Sequence, residues 1–220
     1  MTGTFTLNRV RNAALLGVAG VGAAGALALG PATSASATEV PVNPAAAPVA
    51  PVQADLDVVG TLQPNGYYCG PAATRIALSA HGEPIAFDAL ADELGTTRDG
   101  TRSVDDITRV LNAHTGEGRY TSVKLQGADV SDEQTEKFRA DVMAAVGSGD
   151  AVVTNIVGQV TDTDGEKHAY MGGHYVTVTG YNEDGRTVTI TDPADKNGAN
   201  EYQLPIDEMA DWMATRGYSH

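Results

Sequence analysis

The sequence predicts an α+β fold in which an N-terminal helical layer packs on a C-terminal antiparallel sheet. Three observations carry that expectation. Between Pro71 and Val146 apolar residues recur at helical spacing. Between Ala151 and Asp192 β-branched residues dominate and alternate with polar ones. The segment "NEDG", Asn182 to Gly185, separates the two clearest alternating runs and is a hairpin signal, with Gly185 available for a positive φ.

The elements follow in chain order. Residues 1–37 read as a secretory signal: Arg9 and Arg11 form a basic start, Ala13 to Leu29 is apolar, and Ala35-Ser36-Ala37 fits a small-x-small cleavage site. A retained membrane helix is the competing reading. Glycines weaken that run, however, and no basic stop-transfer cluster follows it. Residues 38–54 contain Pro41, Pro44, Pro48 and Pro51, which forbid a regular helix or central strand. This stretch is expected to be an extended linker or a short pro-region. Residues 55–220 are long enough for one domain with its own core.

Within that domain Asp55 to Thr61 is expected as a short lead-in strand. Ala72, Ala73, Ile76, Ala77 and Ala80 mark a first helix that starts at Cys69 or Gly70, with Pro71 in its first turn. Phe87 to Leu94 is a second helix, stopped by Gly95. Ser103 caps a third that runs to His114, and Ser131 with Gln134 opens a fourth as a capping box. Strands are then expected at Ala151–Val160, His174–Tyr181, Arg186–Asp192 and Tyr202–Leu204. A last helix is expected at Pro205–Met213.

Composition excludes several functions. Net charge is −14 over the whole chain. An acidic surface offers no basic stripe for nucleic acid. It offers no attraction to anionic lipid. No second long apolar run follows the signal, so no membrane partner is expected after cleavage. The expected localisation is secreted, in solution or at the cell wall.

Cys69 is the sole cysteine, so no intramolecular disulfide can form. In an exported chain a leftover thiol is either an intermolecular link or a reactive group. A packed, inert cysteine is the structural alternative. A helix N-terminus favours thiolate over thiol, and Cys69 is expected there.

Of His81, His114, His168, His174 and His220, only His174 starts an alternating strand directly after two glycines. His81 and His114 fall at helix ends, and His168 is expected in a polar loop. If Glu183-Asp184-Gly185 is a three-residue loop, Asn182 faces Arg186 and Val176 lies opposite Asp192. His174 and Asp192 are then diagonal neighbours on one face. A loop one residue longer would turn them to opposite faces. Asp192 also fits a turn cap before Pro193. Gln63, six residues before Cys69, could donate to an oxyanion together with the Cys69 N–H. Asn65 is the substitute. No chelating His or Cys spacing, phosphate loop or dinucleotide fingerprint is present, and neither metal nor cofactor is expected.

The stretches "QPNGYYCGPAA", "GGHYVTVTGY" and "VTITDPAD" together resemble the papain-like cysteine peptidases, most closely the peptidase C39-like family. The resemblance implies a papain-like cysteine peptidase fold and a peptide or protein substrate. It implies Cys69 as nucleophile, His174 as general base and acid, Asp192 as orienter and Gln63 in the oxyanion hole. Three functions remain in view: a cysteine peptidase or amide hydrolase, a transglutaminase-like acyltransferase, and a binding or cell-wall-associated module that no longer turns over.

Overall fold

The computed structural model describes residues 51–82, 85–194 and 201–220. Residues 1–37, expected as a secretory signal, and residues 38–50 of the expected linker or pro-region lie outside the described residues.

Strand β1 (Ala54–Asp55) opens the described chain. Three helices follow: α1 (Cys69–Ser79), α2 (Phe87–Leu94) and α3 (Val104–Thr115). Their ends obey local chemistry. Gly95 closes α2 at φ 64, ψ 33, a conformation that glycine reaches without a Cβ penalty. The Ser103 side chain caps α3 by accepting from the Asp106 N–H. Strand β2 (Ser122–Lys124) comes next, then α4 (Asp132–Gly147), opened by the full Ser131–Gln134 capping box. The long hairpin of β3 (Val152–Thr161) and β4 (Lys167–Asn182) follows, with β5 (Thr187–Thr191) and β6 (Glu201–Pro205). Helix α5 (Ile206–Trp212) and β7 (Gly217–Ser219) finish the chain.

Among the described residues the strands form one sheet in the order β2-β7-β3-β4-β5-β6, with β1 added to β4. Each pairing is antiparallel. The α+β class therefore holds. The sheet is covered on both faces rather than one. Ala151, Val153 and Tyr175 pack with Ala73, Leu90 and Ile107 of α1 to α3. Val152, Ile156 and Val176 pack with Phe138, Val142 and Met209 of α4 and α5. Consecutive strand residues thus face different helical layers, as the two-residue side-chain period requires.

Several boundaries differ from expectation. The lead-in strand shrinks to Ala54–Asp55, and beyond Asp55 the chain is tied only by single bonds such as Val59 N–H to Ser79 Oγ at 2.8 Å. Strand β4 begins at Lys167, seven residues before His174, so His168 is a buried strand residue and not part of a polar loop. Strands β2 and β7 were not anticipated. Each has three residues, too few to display an alternation. Even so, β7 lies inside the sheet between β2 and β3.

The β4–β5 turn is longer than the three-residue loop assumed from sequence. Asn182 pairs with Thr187, not Arg186. That shift alone would turn His174 away from Asp192. A bulge between Val178 and Gly180 reverses it: beyond the bulge Thr177 pairs with Thr191, which restores the register in which Val176 faces Asp192. Two departures from the assumed hairpin cancel.

Candidate active site

Cys69 is the first residue of α1 and is half-buried. Pro71 carries no N–H, so the leading donors of the first turn are those of Cys69 and Gly70. Gly70 lies so close to Thr101 that any side chain there would collide with it. Thr101 is buried and bonded to Thr96. The glycine therefore sets how closely the helix start docks.

His174 comes from β4 and is 4% exposed. A second bulge precedes it. Ile156 pairs with His174, but Gly158 pairs with Tyr170, so Met171, Gly172 and Gly173 form an outward loop in the strand. Gly173 has φ +91, in the region that favours glycine. The loop folds Tyr170 back onto His174, with ring centroids 3.9 Å apart at 22°.

Three groups form one hydrogen-bonded chain. His174 Nε2 donates to Asp192 Oδ1 at 2.8 Å. That leaves Nδ1 for the Cys69 thiol, with which His174 also hydrogen-bonds. Asp192 is fully buried. Its Oδ1 also accepts from the Ala194 N–H at 2.8 Å, and its Oδ2 accepts from Tyr170 at 2.8 Å and Tyr202 at 2.9 Å. The turn-cap role and the histidine contact coexist in one carboxylate.

The electrostatics favour a charge-separated pair. Burial alone would raise the Cys69 thiol. The hydrogen bond and charge of His174, with N–H groups of Tyr175 and Gly70, outweigh burial and hold the thiol below its ordinary value. Burial also opposes an imidazolium at His174, but Asp192 and Cys69 overcome it and raise His174 to about 9. Asp192 is pushed up by burial and pulled further down by His174, the Ala194 N–H and Tyr170, so it stays below the usual carboxylate range.

A second histidine–carboxylate pair adjoins the first. His168 Nε2 bonds to Asp162 Oδ2 at 2.9 Å, and Asp162 Oδ1 accepts the N–H groups of Asp164 and Glu166. The His168 ring stacks on Tyr202 at 3.7 Å. This pair fixes the tyrosine that reaches Asp192.

Gln63 is not hydrogen-bonded to this chain. Its Nε2 donates to the Asn65 carbonyl at 2.6 Å, and its Oε1 is buried without a partner among the described residues. Its backbone N–H bonds to the Pro193 carbonyl at 2.8 Å, which ties the Gln63 loop to the residue after Asp192. Gln63 and Asn65 wall a cavity of about 450 Å³ that Tyr170 also lines. Cys69 and His174 open onto a different cleft of about 170 Å³, with Asn155 and Gly172 on its wall. Among the described residues no group of three His, Cys, Asp or Glu is arranged to hold a metal.

Residues 55–220 match the family model described as the Peptidase_C39 like family. The chain belongs to the Peptidase_C39 like family. Its fold is similar to that of a Bacillus anthracis protein described as a C39-like peptidase, at 16% identity and a TM-score of 0.50, covering 76% of this chain and 96% of that one. A double-glycine-motif protease from an AMS/PCAT transporter, solved with its leader peptide, aligns at 14% identity and a TM-score of 0.47, over 75% of this chain and 91% of that one. The peptidase domain of Streptococcus ComA, a bi-functional ABC transporter of a quorum-sensing pathway, aligns at 14% identity and 0.45, over 72% and 93%. No curated protein sequence matches the chain. The chain is thus a C39-like protein with the fold and family of cysteine peptidases.

Sequence reasoning missed the part that Tyr170 and Tyr202 play at this C39-like site, bracing Asp192. Both donate to Asp192 from outside the motifs. Tyr170 lies before the glycine bulge, where a regular strand would carry it away from His174. Tyr202 carries no local signal beyond its place in a short strand. Of the four tyrosines that the sequence offers as a cleft lining, Tyr67, Tyr68, Tyr170 and Tyr175, the structure sets Tyr175 at the cysteine cleft and Tyr170 at the neighbouring cavity. Tyr68 donates to Asp88 at 3.0 Å, Tyr67 packs edge-on against it, and Tyr175 is 3% exposed.

Proposed function

We propose that this chain is a secreted cysteine peptidase or amide hydrolase that works through Cys69, His174 and Asp192. The observation that carries the reading is His174, hydrogen-bonded on one side to Cys69 and on the other to a fully buried carboxylate, at an open cleft. Such a pair supplies what acyl transfer from a peptide bond needs. Cys69 thiolate attacks the scissile carbonyl. The imidazolium of His174 gives its proton to the leaving amine, which breaks the C–N bond and leaves a thioester. His174, now neutral, takes a proton from water as the water attacks. Thiolate departs, and the acid product leaves.

Asp192 holds the ring and supports its charge, so the proton stays on His174 until the amine needs it. The oxyanion is assigned to the Cys69 backbone N–H and, on the resemblance of its motif to the family's, to Gln63, which lines the neighbouring cavity and whose Nε2 keeps one hydrogen beyond that given to Asn65. Secretion rests on the composition of residues 1–37.

The test is proteomic. The chain is incubated with a defined peptide mixture and new termini are read by mass spectrometry. Wild type is expected to generate termini that Cys69→Ala does not, with the rate down roughly 10⁴-fold or more. The same termini at the same rate from Cys69→Ala would contradict the proposal. An added primary amine that appears in the products would instead indicate acyl transfer.

A further inference from the structure

The lining of the cleft beside the cysteine runs against the net charge of the chain. The chain is strongly acidic, at −14. Yet Arg102 and Arg216 both wall the cleft onto which Cys69 and His174 open, against one acidic residue, Asp99. Both arginines are exposed, and neither forms an ion pair among the described residues. The other arginines near acids are used locally: Arg119 bonds Asp150 and Arg139 bonds Glu136. Nor do Arg102 and Arg216 serve to hold the thiolate. His174 and backbone N–H groups lower the thiol.

The fold holds both arginines in place. Arg102 follows Thr101, which is buried against Gly70 at the start of α1. It leaves a tight turn in which Thr97 and Gly100 bridge, with Gly100 at φ +89. Arg216 follows Thr215, a β-branched residue at φ +67. That conformation is uncommon for threonine, and such outliers persist where surrounding structure enforces them. The enforcement is visible. Arg216 N–H bonds the Met213 carbonyl at 3.0 Å, and its own carbonyl accepts from Leu125 N–H at 3.1 Å. The Arg216 guanidinium reaches the β4 bulge, since a Cβ on Gly173 would stand 3.4 Å from its Nη2. Gly173 immediately precedes His174, so one charged fork stands over the approach to the reacting atoms.

Arg102, Asn155 and Arg216 also wall an adjoining depression of about 240 Å³ that extends to Lys124. The surface leading away from the cysteine on this side is thus a groove with two free guanidinia and an amide. A guanidinium fork matches a carboxylate better than any other common peptide group.

Resting on the peptidase reading above, we propose that the groove selects substrates bearing a carboxylate close to the scissile bond, read by Arg102 and Arg216. The carboxylate is either an acidic side chain or a chain terminus. Acidic peptides would otherwise be repelled by a chain of this charge, so the pair provides both attraction and selection.

Matched alkylating probes test this without knowledge of the natural substrate. Cys69 thiolate displaces iodide from an iodoacetyl group, forming the S–C bond as the C–I bond breaks. Iodoacetyl-Glu-amide is compared with iodoacetyl-Gln-amide, and iodoacetyl-Gly with iodoacetyl-Gly-amide. Plain iodoacetamide reports the thiol itself. At low salt one or both acidic probes should react roughly tenfold faster than the neutral twin, the sum expected of two partly exposed charge pairs. The ratio should fall toward one in the Arg102→Gln/Arg216→Gln double variant. It should also fall in wild type at high salt, a control that does not depend on the variant folding. A preference for the Glu probe assigns a side chain, and a preference for the free Gly probe assigns a terminus. Equal rates within both pairs, or a ratio that survives in the double variant, overturns the proposal while leaving the peptidase reading intact. If iodoacetamide also fails to modify Cys69 below neutral pH, the peptidase reading falls and this inference falls with it.

Discussion

Among the described residues the fully buried Asp192 accepts four hydrogen bonds, and each donor constrains a different part of the molecule. Burial opposes an imidazolium at His174; the Asp192 hydrogen bond is the largest force against it, and the Cys69 hydrogen bond and the charge of Asp192 add to it, raising His174 to about 9. Asp192→Asn keeps an acceptor for Nε2 but removes that charge. The sign follows directly. His174 acts as a proton donor in the attack phase, so activity declines as pH rises through the His174 pKa. In wild type the alkaline limb of kcat/KM is expected near 9; in Asp192→Asn it should move down toward the ordinary histidine value of 6.5. A limb that stays put would show that Asp192 does not support the ring's charge. Gln63→Ala tests the oxyanion assignment separately. It should lower kcat by roughly 10²- to 10³-fold with little change in KM, since that interaction develops only in the transition state. At this scale Cys69, His174 and Asp192 were legible because their chemistry is written locally: a lone thiol at a helix start, a ring after two glycines, an acid before proline. Tyr170 and Tyr202 were not, because a hydroxyl that braces a carboxylate across strands leaves no trace in its neighbours.

The helices were legible, and where a local cap marks an end the end was legible to the residue. The Ser103 cap, the Ser131–Gln134 capping box and the Gly95 stop are all local hydrogen-bonding or φ requirements. The strands were less so, since their ends depend on partners distant in sequence. The hairpin shows why. Its turn is longer than the "EDG" reading allowed, and only the bulge at Thr179 returns His174 to the face of Asp192. A bulge has no reliable sequence signature, so the expected face came out right for an incomplete reason. Gly70 makes an element-scale prediction. Gly70→Ala forces α1 away from the buried Thr101 and should cost about 1–3 kcal/mol of stability, as overpacking does. Because Cys69 moves with the helix start, alkylation at neutral pH should also slow. Chemical denaturation and labelling rates check the two effects. A stable variant with unchanged labelling would mean that the close approach does not set the position of Cys69.

Across the whole molecule the site lies at a seam. Cys69 packs with the core of α1 to α3, whereas Tyr170 and Tyr202 belong with the core of α4 and α5 on the other face of the sheet. The hydrogen-bonded chain from Cys69 through His174 to Asp192 spans the sheet between them, so the thiol's ionisation reports whether the two halves are correctly joined. The rate of Cys69 alkylation by iodoacetamide as a function of pH, in wild type and in His174→Ala, reads that ionisation directly. The thiol's pKa is held down chiefly by His174. Wild type should therefore stay reactive well below the ordinary cysteine range near 8.5, while His174→Ala should lose reactivity as pH falls through that range. Superimposable profiles with midpoints at the ordinary cysteine value would contradict the account.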